Sequence, residues 1–292
     1  FTLQDEISQA IVKALKLKLL PEEKKAIEQR GTTNLDAYNL YLMARQHYAT
    51  GNEGDTRRNE AIIRLCRRAT EIDPDYAHAW ALMALGQMLV RFLTGGQGDD
   101  GLVAAERALA LDTNLAEAHA VKARILSEGG RHDDASTEIE VALRLDPESY
   151  EVNRAAAYLR FRQKRLHESI LHFEKALALM ETDVSSANML MTCYLAVGDG
   201  EAAHRAAQIT LDRAQKTLAQ DPSNGAAMGF CCYALALLGQ AESAKGWMSR
   251  ALLIDPDNIN MRYNFACALT THLQDVDGAI ELLGLLFEKI SI

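Results

Sequence analysis

The sequence predicts an all-α solenoid of stacked helical hairpins, and three observations carry that prediction. A short ending recurs: Ala142-Leu143-Arg144-Leu145-Asp146-Pro147 is echoed by Ala251-Leu252-Leu253-Ile254-Asp255-Pro256. Related endings close at Pro74, Thr113, Glu181 and Pro222, and three intervals, Thr113 to Pro147, Pro147 to Glu181 and Pro222 to Pro256, are each 34 residues. Self-similarity at a fixed period of this size marks a repeat array whose units bury their apolar faces on one another. Between the endings, apolar residues recur at helical spacing, and no segment alternates apolar and polar residues between turn signals as a strand would.

The elements follow in order. In the first 20 residues, Leu3, Ile7, Ile11, Ala14 and Leu15 form one stripe, with Thr2 and Asp5 able to cap its start. Pro21 opens a second helix that should end near Gly31, so residues 1–34 read as a capping hairpin over the first repeat. Seven hairpins are then expected, at 35–74, 75–113, 114–147, 148–181, 182–222, 223–256 and 257–290.

The third of these shows the logic. Ala116, Ala120, Ala123 and Leu126 share a face up to the break at Gly129-Gly130. Asp133 then opens a helix that carries Ala135, Ile139 and Ala142, and Pro147 stops it. Two intervals exceed the period. In the first, the surplus falls in Thr94–Gly101, the composition of a flexible surface loop rather than a phosphate cradle. In the second, seven extra residues lie within a helical stretch over 201–219. That is nearly two turns, so the apolar face keeps its phase.

These units resemble the tetratricopeptide repeat (TPR), whose signature sets large, small and terminal Pro positions at fixed offsets. Gly225 to Pro256 matches well through Met228, Cys231, Cys232, Leu235, Gly239, Ala244, Met248 and Ala251, whereas Lys122, Thr113 and Glu181 depart from it. The resemblance implies a right-handed TPR superhelix whose concave face is lined by the first helix of each hairpin.

Phe1 to Ile7 with Ala37-Tyr38-Asn39-Leu40-Tyr41-Leu42, and Asn264–Ala268 with Asp277–Ile280, resemble arrays joined to bacterial class III adenylate/guanylate cyclases through a TolB-like segment. That resemblance implies a regulatory or scaffolding arm of a nucleotidyl cyclase. The alternatives are the sensory arm of a winged-helix transcription regulator and a stand-alone adaptor. The start at Phe1 rather than Met reads as a piece of a longer chain.

Composition and motifs narrow the function classes. A net charge of −9 sets the surface against phosphate backbones, so no nucleic-acid partner is expected here, and the chain lacks the roughly 18 apolar residues of a membrane span. Five cysteines without ligand spacing read as core hydrophobes in a cytoplasmic protein. No hydrolase, zinc-protease or P-loop motif occurs, so no catalytic residue, metal or cofactor is expected.

The concave face is expected to carry Arg124, Arg154, Tyr158, Arg162, Asn188 and Thr192 from three consecutive first helices. Such a set is either a solvated polar face or a clamp for a carboxylate or an extended acidic peptide. The last helix, apolar at Ile280, Leu282, Leu283, Leu285, Leu286, Phe287 and Ile290, should be covered by further chain or by self-association.

Overall fold

A computed structural model describes residues 31–50, 56–96, 98–254, 256 and 259–290, with the side chains of 50, 259, 260 and 285–290 outside that description. The capping hairpin expected over 1–34 therefore lies almost wholly outside the described residues. So do most of the apolar side chains expected at the end of the last helix.

Fourteen helices and no strand occur among the described residues. They are α1 (Leu35–Thr50), α2 (Thr56–Ile72), α3 (Ala77–Leu93), α4 (Leu102–Leu111), α5 (Ala116–Glu128), α6 (His132–Leu145) and α7 (Tyr150–Arg162). After them come α8 (Leu166–Leu179), α9 (Val184–Ala196), α10 (Gly200–Gln220), α11 (Gly225–Leu237), α12 (Ala241–Ile254), α13 (Ile259–Thr271) and α14 (Val276–Ile290). Each odd-numbered helix packs on the even-numbered helix that follows it. Odd-numbered helices also pack on the next odd-numbered one and so form a common layer, except at the step from α7 to α9, where α9 meets the fourth hairpin chiefly through α8.

Small residues set the spacing. Ala123, Ala135, Ile139 and Ala142 are wholly buried where α5 meets α6, and they are the residues whose periodicity predicted the pair. Burial of Ile139 alone contributes about 2 kcal/mol before entropy is counted.

Four of the units are locked to the preceding repeat ending by a hydrogen bond from the residue six positions after it. Trp80 Nε1 donates to the Pro74 carbonyl at 2.9 Å, Asn153 Nδ2 to that of Pro147 at 2.8 Å and Arg262 Nε to that of Pro256 at 2.8 Å. His119 Nε2 lies 3.0 Å from the Thr113 carbonyl. The lock addresses a backbone oxygen, so Thr113 serves as well as proline. This is why the departure from the signature at that ending leaves the architecture intact.

Where the fifth hairpin has Ala187 at this offset, Arg213 substitutes from α10. Its guanidinium donates to the carbonyls of Leu177, Met180 and Asp183 at 3.1, 2.8 and 3.0 Å. Arg213 belongs to the stretch that carries the surplus. Ala203, Ala207, Thr210, Ala214 and Leu218 are buried along α10, so its apolar stripe runs on unbroken through that stretch.

Side-chain hydrogen bonds cross the loop between α3 and α4. Arg91 Nη1 donates to the Gly98 carbonyl at 2.7 Å, and Gln87 Nε2 to Asp99 Oδ2 at 3.2 Å. The chain re-enters helix through Gly101, whose φ of +83° favours glycine. The approach to α3 there is so close that a Cβ would sit 2.3 Å from the Ala84 carbonyl oxygen.

Candidate functional site

The 34-residue period places equivalent residues of α5 and α7 side by side, and their chemistry differs along the helices. Near the N-terminal ends, Glu117 neighbours Glu151; in the middle, Arg124 neighbours Tyr158; at the far ends, Glu128 neighbours Arg162. Arg124 lies over the Tyr158 ring at 4.8 Å, and Arg162 Nη2 donates to Glu128 Oε2 at 2.5 Å. Arg154 is only 3% exposed and sits 5.7 Å from both the Tyr150 and the Tyr158 rings. Tyr158 in turn meets Phe173 edge-on at 5.1 Å. The desolvated cation–ring contacts hold this cluster in one arrangement.

The first hairpin closes over the N-terminal end of the cluster. Arg45 of α1 pairs with Glu151 at 2.7 Å and reaches Glu117 at 3.7 Å. Tyr48 meets the Tyr150 ring at 6.4 Å, and Arg45 lies over the Tyr48 ring at 5.6 Å. Just beyond, Thr182 Oγ1 donates to the Ala49 carbonyl at 3.0 Å, and Arg58 at the start of α2 pairs with Asp221 at 2.5 Å. The array thus curls far enough for its first hairpin to touch the third, fourth and fifth. Arginines and rings follow one another in contact from Arg45 through Tyr48, Tyr150, Arg154 and Tyr158 to Arg124.

Burial, and then the Glu151 carboxylate, push the Glu117 carboxyl up to about 7; Arg45 only partly opposes them. Asp146 adds to the rise. A carboxyl held above its unfolded value near 4.5 binds its proton more tightly in the fold, so stability is lost as pH rises from about 4.5 to 7 and stays lower above that. Glu117→Gln is therefore expected to stabilise the chain by ~1–3 kcal/mol at pH 8 and by nothing near pH 4.5. Calorimetric melting at both pH values checks this, and equal gains at the two would rule out the carboxyl as the cause.

The other expected groove residues lie apart from this cluster. Asn188 and Thr192 of α9 are half-buried, and Thr192 faces the Tyr233 hydroxyl of α11. Since α9 leans on α8, they belong to the next stretch of the layer. Sequence reasoning did not single out Arg45, Glu117, Glu151, Arg58 or Asp221. The one available signal was the 34-residue spacing of the two glutamates, which makes them neighbours.

Another concavity, of about 410 Å³, lies between the fifth and sixth hairpins around Leu218, Met228, Trp247 and Arg250, with Leu253 84% exposed on its lip. Among the described residues no helix is long and apolar enough to cross a membrane, and no three His, Cys, Asp or Glu side chains converge on a metal position.

No protein-family profile matches the chain. It is 30% identical over 140 residues to a Rhizobium meliloti (strain 1021) protein described as "Putative adenylate cyclase 3". The match covers 46% of this chain and 23% of that relative, so the chain spans about a quarter of the relative's length. Among solved structures, human IFIT1 in its dimer with PPP-AAAA superposes with a TM-score of 0.63 at 15% identity, over 96% of this chain and 62% of that one. Cut9 in the APC/C hetero-tetramer with Hcn1 superposes with a TM-score of 0.58 at 15% identity, over 89% and 47%. By its repeat period, its hairpin pairing and these likenesses of fold, the chain is a TPR-type α-solenoid.

Proposed function

We propose that this array is a protein-interaction module serving as the regulatory or scaffolding arm of a bacterial nucleotidyl cyclase. The observation that carries the proposal is the 140-residue match to the protein described as "Putative adenylate cyclase 3". The resemblance of the Phe1–Ile7 and Asn264–Ala268 strings to cyclase-linked arrays points the same way.

On this reading the solenoid binds and the chemistry belongs to another domain of the parent protein. The partner is a protein or peptide, because the array offers side-chain clusters and an apolar concavity with tryptophan and arginine on its wall, residue types that anchor protein interfaces. Five free cysteines, four of them buried, fit a reducing cytoplasm.

The test is to assay the native full-length product for cyclic nucleotide formation from ATP or GTP, with and without this array. Turnover that changes several-fold on deletion of the array is the expected result. An inactive product that begins with a basic helix-turn-helix would make the array the sensory arm of a transcription regulator. An inactive product without one would make it an adaptor.

A further inference from the structure

Two carboxylates at equivalent positions of adjacent repeats, 11% and 26% exposed, form an unfavourable pair unless a cation lies with them. In this chain the cation is Arg45, delivered by α1 from 106 residues upstream of Glu151. The fit is more than a point charge. Tyr48 lies one turn further along α1 and meets the Tyr150 ring at a tilt of 56°, so the arginine and the ring dock together on a matching carboxylate and ring. The groups facing this seat are Arg45 and Tyr41 from α1, Glu117 from α5, Glu151 from α7 and Asp146 from the loop before it.

We propose that the first hairpin is an internal ligand of the array, seated by Arg45 on Glu117 and Glu151. A protein partner engages the array by presenting its own helix, with an arginine followed one turn later by an aromatic residue, to those same carboxylates. This rests on the reading of the array as a protein-interaction module and names the chemistry of its partner, which is cationic and aromatic rather than acidic. The seated hairpin then holds the array closed until that partner arrives. The Arg58–Asp221 pair and the Thr182–Ala49 bond set how firmly it is closed.

The probe is a fluorescein-labelled peptide with the α1 sequence, residues 35–50, titrated into the 292-residue chain. Spin labels at Glu60→Cys and Lys216→Cys, exposed positions near the Arg58–Asp221 pair, report closure in a Cys267→Ser background, the other cysteines being buried.

The unmodified clasp should give one narrow label separation, and Arg45→Ala with Arg58→Ala should add a longer one. The peptide should bind that double variant at least tenfold more tightly than the parent. Binding should disappear when Glu117→Gln and Glu151→Gln are added, or when the arginine of the peptide is replaced by glutamate. An unchanged separation in the double variant would show that these pairs do not hold the ring. Opening without peptide binding, or binding that survives the glutamine pair, would show that the seat takes no arginine. Neither failure touches the reading of the array as the arm of a cyclase, which is decided by cyclic nucleotide output.

Discussion

Replacing Gly101 with alanine is expected to cost the array ~2–5 kcal/mol, because two penalties coincide at one residue. Its φ of +83° is a left-handed conformation that costs any L side chain ~1–2 kcal/mol. The new methyl would also stand 2.3 Å from the Ala84 carbonyl oxygen, and that oxygen belongs to the backbone of α3 rather than to a side chain that can turn away. Relief requires α4 to move off α3, which disturbs the second hairpin as a whole.

Gly239→Ala is the control. Its φ of +75° carries the same conformational penalty, yet nothing lies within 4 Å of its added Cβ. Urea unfolding of the two variants should therefore separate them, with Gly239→Ala losing only the ~1–2 kcal/mol of the backbone conformation. Equal losses would mean that the close approach at Ala84 contributes nothing.

Phe173→Ala is expected to cost ~3–5 kcal/mol, the range for removing a buried aromatic side chain from a packed core. Phe173 is wholly buried in α8, and its ring supports the edge of Tyr158, on which Arg124 and Arg154 both rest. The cavity would thus loosen the arginine–tyrosine cluster as well as the fourth hairpin.

In a repeat array each unit leans mainly on its neighbours, so the damage should stay local. Amide exchange should accelerate in α7 to α10 and stay at parental rates in α13 and α14. Acceleration spread evenly over all helices would instead show that the array unfolds as one cooperative body.

Most of this fold was legible because a 34-residue period repeats the same packing problem with the same solution. Ala123, Ala135, Ile139 and Ala142 could be placed in the core from spacing alone, and so could the in-phase extension that became α10. The carbonyl locks were not legible. Trp80, His119, Asn153 and Arg262 share a position and a target but no chemistry, so no residue pattern marks them.

Part of the candidate site was within reach. Arg124 and Tyr158 are 34 residues apart and in contact, as the period implies for equivalent positions. The closure was out of reach for a physical reason. Whether Arg58 meets Asp221 depends on small rotations summed over the intervening hairpins, and no local pattern encodes that sum. Arg154 illustrates the limit: its face was foreseeable, but its burial between the Tyr150 and Tyr158 rings was not.

The same closure shapes how the chain reaches its native state. Within hairpins, contacts form between residues close in sequence, so each unit can fold early and spread to its neighbour. The closing contacts span 106, 133 and 163 residues, and their loop entropy is affordable only after the intervening units are in place. They therefore form last and break first. Once made, they tie the first hairpin to the third, fourth and fifth, and fraying that starts at α1 must undo the ring before any helix can peel away. Among the described residues no bond of comparable span reaches α14, so α1 and α14 should open at different rates.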